Sequence, residues 1–424
     1  MVRVIPTPQP LTNARVASQR DSQPRAALQS LVGPTRAKLL TSLAEAAQRD
    51  FWPTVAPLVA AISTPWPETL GDTVPPRELY ESDSQTALLC GLTVHFKLRR
   101  TAASASRSSN TLVVCLHGFN GSTYSYHTAL QGLADTVGGT AVAFDRPPFG
   151  LTQRDVVTLS DGRSSLSTEG GAALGVALVR HLAGGSQPRS VVLVGHSAGA
   201  GVALKMADLL PAGTVRGLVL VAPAVPASGD DTFLAQADLG SLLRLGITRA
   251  VLALDGPGLA YVRESVAKRA VEVRATRRIG YGRGSAAPQA AVDAYLAPLR
   301  AEAWDTASLA SFRAFETPQP LDARRLAGTR VLVLQGALDD VVPTPSVQRL
   351  ASVLQTSGID CTYVELPEVG HLPVEEAPEA CVAAFAAWFG AATPPTRPGD
   401  GEPLALQPGG AAQETLNRRQ WRDE

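Results

Sequence analysis

The 424-residue chain is short of lysine, methionine and cysteine. Its four lysines are Lys38, Lys97, Lys205 and Lys268, so arginine carries almost all of the positive charge. Lys+Arg and Asp+Glu both total 38, a formal net charge of zero that gives no pull towards nucleic acid or an acidic membrane surface. Cys90, Cys115, Cys361 and Cys381 are widely separated and form no C-x-x-C. That spacing excludes a small disulfide-stapled scaffold and fits a reducing compartment. No apolar run reaches the roughly 18–20 residues that a membrane-spanning helix needs. The longest early candidate, "WPTVAPLVAAIS", is too short and carries two prolines. What remains is ordinary for a soluble globular chain: 45% apolar and 18% charged residues, long enough to bury a large core.

The two ends lack core periodicity. The first 44 residues hold one acidic residue, Asp21, among several arginines, serines and threonines. This composition suits an organelle transit peptide and equally a disordered terminus. At the other end "TPPTRPGDGEPLALQPGGAAQ" is rich in proline and glycine and reads as a disordered tail.

Between the ends, strand-like runs fall at Leu92–Leu98, Thr111–Leu116, Thr140–Phe144, Ser190–Val194, Gly217–Val221, Arg330–Gln335 and Cys361–Leu366. Helical patterns occupy Leu166–Leu182, Ala198–Leu210, Ser346–Leu354 and Glu375–Phe389. This alternation predicts a mostly parallel sheet with helices on both faces. From about Val225 to Pro318 the rhythm stops, and only helical stretches separated by glycines remain. The boundaries that follow are an N-terminal extension over 1–77, a first half-core over 78–224 and a helical insert over 225–318. A second half-core over 319–390 and a tail over 391–424 complete the chain.

One stretch raises a chemical question. "VVLVGHSAGAGVAL" runs from a strand apolar on both faces into a helix of small residues, with Ser197 at the junction. A turn this sharp crowds its neighbours, and Gly195 and Gly199 relieve the crowding. This G-x-S-x-G pattern predicts a nucleophile elbow that lifts the Ser197 hydroxyl above the sheet. A serine hydroxyl needs a base to take its proton and a third group to orient the base. "RVLVLQGALDDVVP" supplies a strand and then Asp339 and Asp340, of which the spacing from Gly336 and Pro343 favours Asp339. "CTYVELPEVGHLPVEEAPE" supplies the next strand and then His371 on a loop. His371 alone of the six histidines lies in a post-strand loop downstream of a loop acid. His95, His127 and His181 read as structural, and His196 sits inside the elbow facing away from the serine. An oxyanion formed on an attacked carbonyl needs two aimed donors. The expected pair is the backbone N–H groups of Ala198 and of Phe119, in "LVVCLHGFNGSTYSY".

"LHGFNGSTYSY", "FDRPPFGLT", "GHSAGAGVAL", "LQGALDDVVP" and "VGHLPVEEAP", in this order, resemble the α/β-hydrolase superfamily. The similarity extends from about Leu79 to Gly390 and is nearest to capped single-domain hydrolases of plants and green algae. The resemblance implies an eight-stranded, mostly parallel sheet, a helical cap over the site and no cofactor or metal. It assigns Ser197, Asp339 and His371 to the triad and Phe119 and Ala198 to the oxyanion hole. Ser197 argues against relatives that carry aspartate at the elbow. Several plant relatives are chloroplast proteins, which makes the chloroplast the expected location and the cytoplasm the alternative.

The expected function is a serine hydrolase of the carboxylesterase or lipase type. It would act on a small-molecule or lipid-like ester, with no nucleic-acid partner. Two alternatives share the triad: a receptor-like ligand-binding protein with little turnover, and a carbon–carbon bond hydrolase. Within the helical insert, residues 261–284 hold Arg263, Lys268, Arg269, Arg274, Arg277, Arg278 and Arg283 against Glu264 and Glu272. The ordinary explanation is a solvated helix face. The sharper one is a basic rim that draws an anionic substrate.

Overall fold

Period-two alternation along the strands divides their side chains between two apolar layers. The computed structural model describes residues 73–102, 110–159, 162–184, 190–227, 248–282, 285–314 and 320–391. The 52–63 apolar stretch, the proposed transit segment and the Pro/Gly-rich tail lie outside them. The strands are β1 (Gln85–Leu89), β2 (Leu92–Arg100), β3 (Thr111–Leu116), β4 (Thr140–Phe144), β5 (Ser190–His196), β6 (Val215–Val221), β7 (Arg330–Gly336) and β8 (Cys361–Leu366). They form one eight-stranded sheet in the order β1-β2-β4-β3-β5-β6-β7-β8. β2 pairs antiparallel with both β1 and β4, and every other pairing is parallel.

Leu112, Val114, Val191, Leu193, Leu218 and Val331 pack towards α2 (Thr168–Leu182), α3 (Ala198–Leu209) and α7 (Thr344–Thr356). Val113, Cys115, Val192, Val194, Val219 and Leu332 face α1 (Leu130–Val137) and α9 (Pro378–Gly390). All six residues of β3 are buried, as a strand covered on both faces requires. Each such side chain contributes about 1.5–3 kcal/mol of burial, so the layers and not the strand ends fix the architecture.

Between β6 and β7 the described residues hold helices α4 (Asp255–Thr276), α5 (Gln289–Leu296) and α6 (Trp304–Arg313) and no named strand. The Leu321 N–H donates to the Pro226 carbonyl at 3.0 Å, so the insert leaves the core where it entered. Arg154, buried below it, donates to the Pro298 and Glu302 carbonyls and ties the insert to the β4 loop. The basic face of α4 is largely neutralised by its own surroundings. Arg263 pairs with Asp305, Lys268 with Glu264 and Arg269 with Glu272.

Three elements depart from the sequence expectation. β1 was not anticipated: its exposed-exposed-buried-exposed-buried pattern is that of a short edge strand. α1 was also missed. The single helix expected over Glu375–Phe389 is two, α8 (Pro373–Glu376) and α9. Pro378 disfavours helical angles at the residue before it, and Ala377 sits at φ −140°, ψ 59°. No helix among the described residues is long and apolar enough to cross a membrane.

Candidate active site

Ser197 stands between β5 and α3 at φ 51°, ψ −121°, a conformation that L-residues rarely hold. Its own N–H donates to Val221 O at 2.9 Å, and its carbonyl accepts from Ala200 and Ala224. The turn is possible because its neighbours are small. A Cβ at Gly195 would lie 2.6 Å from Ala200 Cα, and one at Gly199 2.3 Å from the Leu116 carbonyl oxygen. The backbone is thus held from three sides, and the side chain is left to point at the loops beyond β7 and β8.

His371 Nε2 lies 3.1 Å from Ser197 Oγ, and His371 Nδ1 lies 2.9 Å from Asp339 Oδ2. Asp339 Oδ1 accepts from the N–H groups of Val341 and Val342 at 2.8 and 2.9 Å. Gln335 Nε2 donates to Oδ2. Burial pushes the Asp339 carboxyl up, but the His371 hydrogen bond and charge, with the Val342 and Val341 amides, outweigh it and hold the group below the usual range. Ionised Asp339 accepts from Nδ1–H, which leaves Nε2 free to accept the Ser197 proton. Asp340 is exposed.

Gly118 packs against Ser197; a Cβ there would be 3.0 Å from Ser197 Cβ. His117 Nε2 accepts the Arg146 N–H at 2.9 Å, so its proton is on Nδ1, which donates to Gly118 O at 2.8 Å. Burial, then the charge of Arg146, pushes this imidazole down to about 4, and it stays neutral. The Gly118 carbonyl also accepts from Gly121 N–H. Peptide planarity sets the Phe119 N–H antiparallel to that carbonyl. Neither the Phe119 nor the Ala198 N–H donates to a backbone carbonyl among the described residues. Ala198, as the first residue of α3, has no helical acceptor. The Phe119 side chain is half exposed and packs on Phe149 and on Phe312 of α6, with centroids 5.0 and 5.7 Å away.

The structure therefore brings Ser197, Asp339 and His371 into one hydrogen-bonded chain and sets Phe119 and Ala198 beside it. Sequence reading missed the groups that hold the histidine loop. His371 N–H donates to Gly280 O of the helical insert at 2.8 Å. Glu376 Oε2 accepts from the N–H groups of both Gly370 and Gly282, and Oε1 from Leu372. His196 Nε2–H donates to the His371 carbonyl at 2.7 Å. An acid five residues after the histidine, at the end of the short α8, was the signal available for Glu376.

Comparison with known proteins bears on the fold that carries this site. The chain resembles the solved epoxide hydrolase CorEH (15% identity, TM-score 0.51, 72% of this chain and 98% of that one). It likewise resembles a bromoperoxidase from Bacillus anthracis (13%, 0.52, 72% and 99%). A serine hydrolase involved in carbazole degradation, CarC, is similar to the same degree (16%, 0.50, 72% and 98%). At these identities the likeness concerns the fold. Comparison with curated proteins gives no sequence match. The model of the alpha/beta hydrolase family matches residues 113–384, well over half of the chain, and the protein belongs to that family.

Proposed function

We propose that this protein is a serine hydrolase that cleaves an ester-like bond through Ser197, His371 and Asp339. The observation that carries the reading is the unbroken relay Ser197 Oγ–His371 Nε2 and His371 Nδ1–Asp339 Oδ2, at 3.1 and 2.9 Å, ending on a strained elbow. Ser197 Oγ attacks the carbonyl carbon while His371 Nε2 takes its proton. Asp339 fixes the tautomer and stabilises the imidazolium. The oxyanion is received by the N–H groups of Phe119 and Ala198. His371 then returns the proton to the leaving alcohol, and the same groups activate water against the acyl-enzyme.

The helices between β6 and β7 act as a cap in this reading. Phe312 from the cap meets Phe119, which packs on Phe149 of the core, a half-exposed aromatic wall suited to an apolar acyl or alcohol group. A fluorophosphonate probe should label the full chain, and short p-nitrophenyl esters should turn over. Ser197→Ala should lose both while its thermal midpoint moves little, because the hydroxyl does not pack in the core. Labelling that persists in the alanine variant refutes the assignment.

A further inference from the structure

Arg146 lies two residues past the end of β4 and is only 7% exposed. Its stem crosses the first turn of α2, where a Cβ on Gly171 would stand 2.9 Å from Arg146 Cδ and 3.7 Å from Val202 Cγ1 of α3. The first turns of α2 and α3 abut here: a Cβ on Gly201 would be 3.9 Å from Thr168 Cγ2. The guanidinium carbon lies 5.7 Å from the Phe149 ring centroid, and Phe149 packs on both Phe119 and His117. One aromatic ring thus separates the guanidinium from the loop that carries the oxyanion donor.

Beyond the Phe149 ring, this cation has no hydrogen-bonded or ionic partner among the described residues. Nε makes no hydrogen bond, and no carboxylate pairs with the side chain among the described residues. Burial alone pushes the guanidinium down to about 10, and no acidic group counters it. Arg154, similarly buried, shows the contrast. Four carbonyls accept from it, and although burial holds its guanidinium near 10 as well, Asp145, Asp305 and Glu302 offset part of its desolvation. The ring of Phe149 compensates Arg146 only in part, since a buried charge needs hydrogen-bonded pairing to offset lost hydration. The positive ends of α2 and α3 add to the deficit. Two helix N-termini and a buried, unpaired guanidinium fork together make a receptor for a planar or tetrahedral oxyanion.

We propose that Arg146 is an anion-recognition residue that pairs with a carboxylate or phosphate group carried by the ester substrate. The proposal rests on the serine-hydrolase reading for the ester and on Arg146 alone for the anion. Two measurements on the full chain separate these. In the first, p-nitrophenyl hemisuccinate and neutral p-nitrophenyl butyrate are compared as substrates. The kcat/KM ratio of the anionic to the neutral ester should fall at least about tenfold in Arg146→Gln, mainly through KM, and be largely retained in Arg146→Lys. Equal losses on both esters would mean a packing role and overturn the proposal.

In the second, thermal unfolding of the Ser197→Ala chain is followed in rising inorganic phosphate. The midpoint should climb, and adding Arg146→Gln should remove the climb. A flat midpoint overturns the anion site whether or not Ser197 is labelled by fluorophosphonate. A climb without any preference for the hemisuccinate assigns a free anion instead and overturns the substrate assignment. If Arg146→Gln does not fold, the phosphate titration of the parent chain and the lysine variant still decide.

Discussion

His196 Nε2–H donates to the backbone carbonyl of His371 at 2.7 Å, so the residue just before Ser197 holds the histidine that faces its hydroxyl. Burial, followed by the nearby His371, pushes the His196 imidazole down to about 3, and it remains a neutral donor across the working range. Its removal strands a buried carbonyl and loosens the histidine loop against the elbow. We expect His196→Phe to lower kcat about 10- to 100-fold through mispositioning, and His196→Gln, which keeps a donor, to recover most of it. Steady-state kinetics on one chromogenic ester checks this; equal activity of the two variants would remove His196 from the positioning apparatus.

The two adjacent carboxylates should behave differently. Asp339 reaches His371 and two backbone amides, whereas Asp340 is exposed. Asparagine at 339 keeps the shape but favours the wrong imidazole tautomer and removes the charge that stabilises imidazolium. Asp339→Asn should lower kcat by at least about a hundredfold and Asp340→Asn by less than roughly tenfold. The reverse ranking in the same assay would move the acid to Asp340.

Two glycines of α3 offer a paired test of the elbow. A Cβ at Gly199 would meet the Leu116 and His117 carbonyl oxygens at 2.3 and 2.6 Å, backbone atoms that cannot yield without moving β3. At Gly201 the nearest atom is the Thr168 methyl at 3.9 Å, an ordinary contact. Gly199→Ala should therefore cost about 1–3 kcal/mol and also impair activity. Gly201→Ala should be neutral or add roughly 0.5–1 kcal/mol, as expected for alanine in a helix. Chemical denaturation distinguishes them, and equal stabilities would contradict the close approach of β3.

These contrasts mark what the sequence could and could not disclose. Seven of the eight strands were legible: those inside the sheet as apolar runs buried on both faces, and β2 and the edge strand β8 by their β-branched and aromatic residues. β1 was not: two of its three exposed positions are polar, and only Ala87 and Leu89 turn inward. Ser197, Asp339 and His371 were legible because each follows a strand, where chain order and sheet order coincide. Glu376, Gly280 and Gly282 were not, since their meeting depends on how the insert lies on the histidine loop. Arg146 was hidden for another reason. An arginine reads as a surface residue until burial is seen.

Glu375 supplies a prediction in pH. The residue is half-buried beside His371's loop with its carboxylate inward, its Oε1 accepts from the Tyr295 hydroxyl at 2.5 Å, and Ser125 stands 3.2 Å from that hydroxyl. It lines a cavity of about 10 Å³ with Ser125, Tyr126, His196, Leu372 and Val374, and its Oε2 has no hydrogen-bond partner among the described residues. Burial above all, with the neighbouring Glu376, pushes the carboxyl up to about 7; Tyr295, Ser125 and Tyr281 oppose this only in part. The unfolded chain releases this proton near the ordinary value of 4.5, so between pH 4.5 and about 7 the folded state holds a proton that the unfolded state has lost. Folding is then disfavoured progressively as pH rises through that window, by a total on the order of 3 kcal/mol. Glutamine is neutral at every pH and nearly the same shape. Glu375→Gln should match the parent stability at pH 4.5 and exceed it increasingly up to about pH 7.5. The buried imidazoles His117 and His196 impose the opposite slope, stability rising with pH below 6.5, but they are common to both proteins and cancel in the difference. Paired denaturant titrations across pH 4.5–7.5 measure that difference directly. A constant offset at all pH values would show that the Glu375 carboxyl titrates as it does in water.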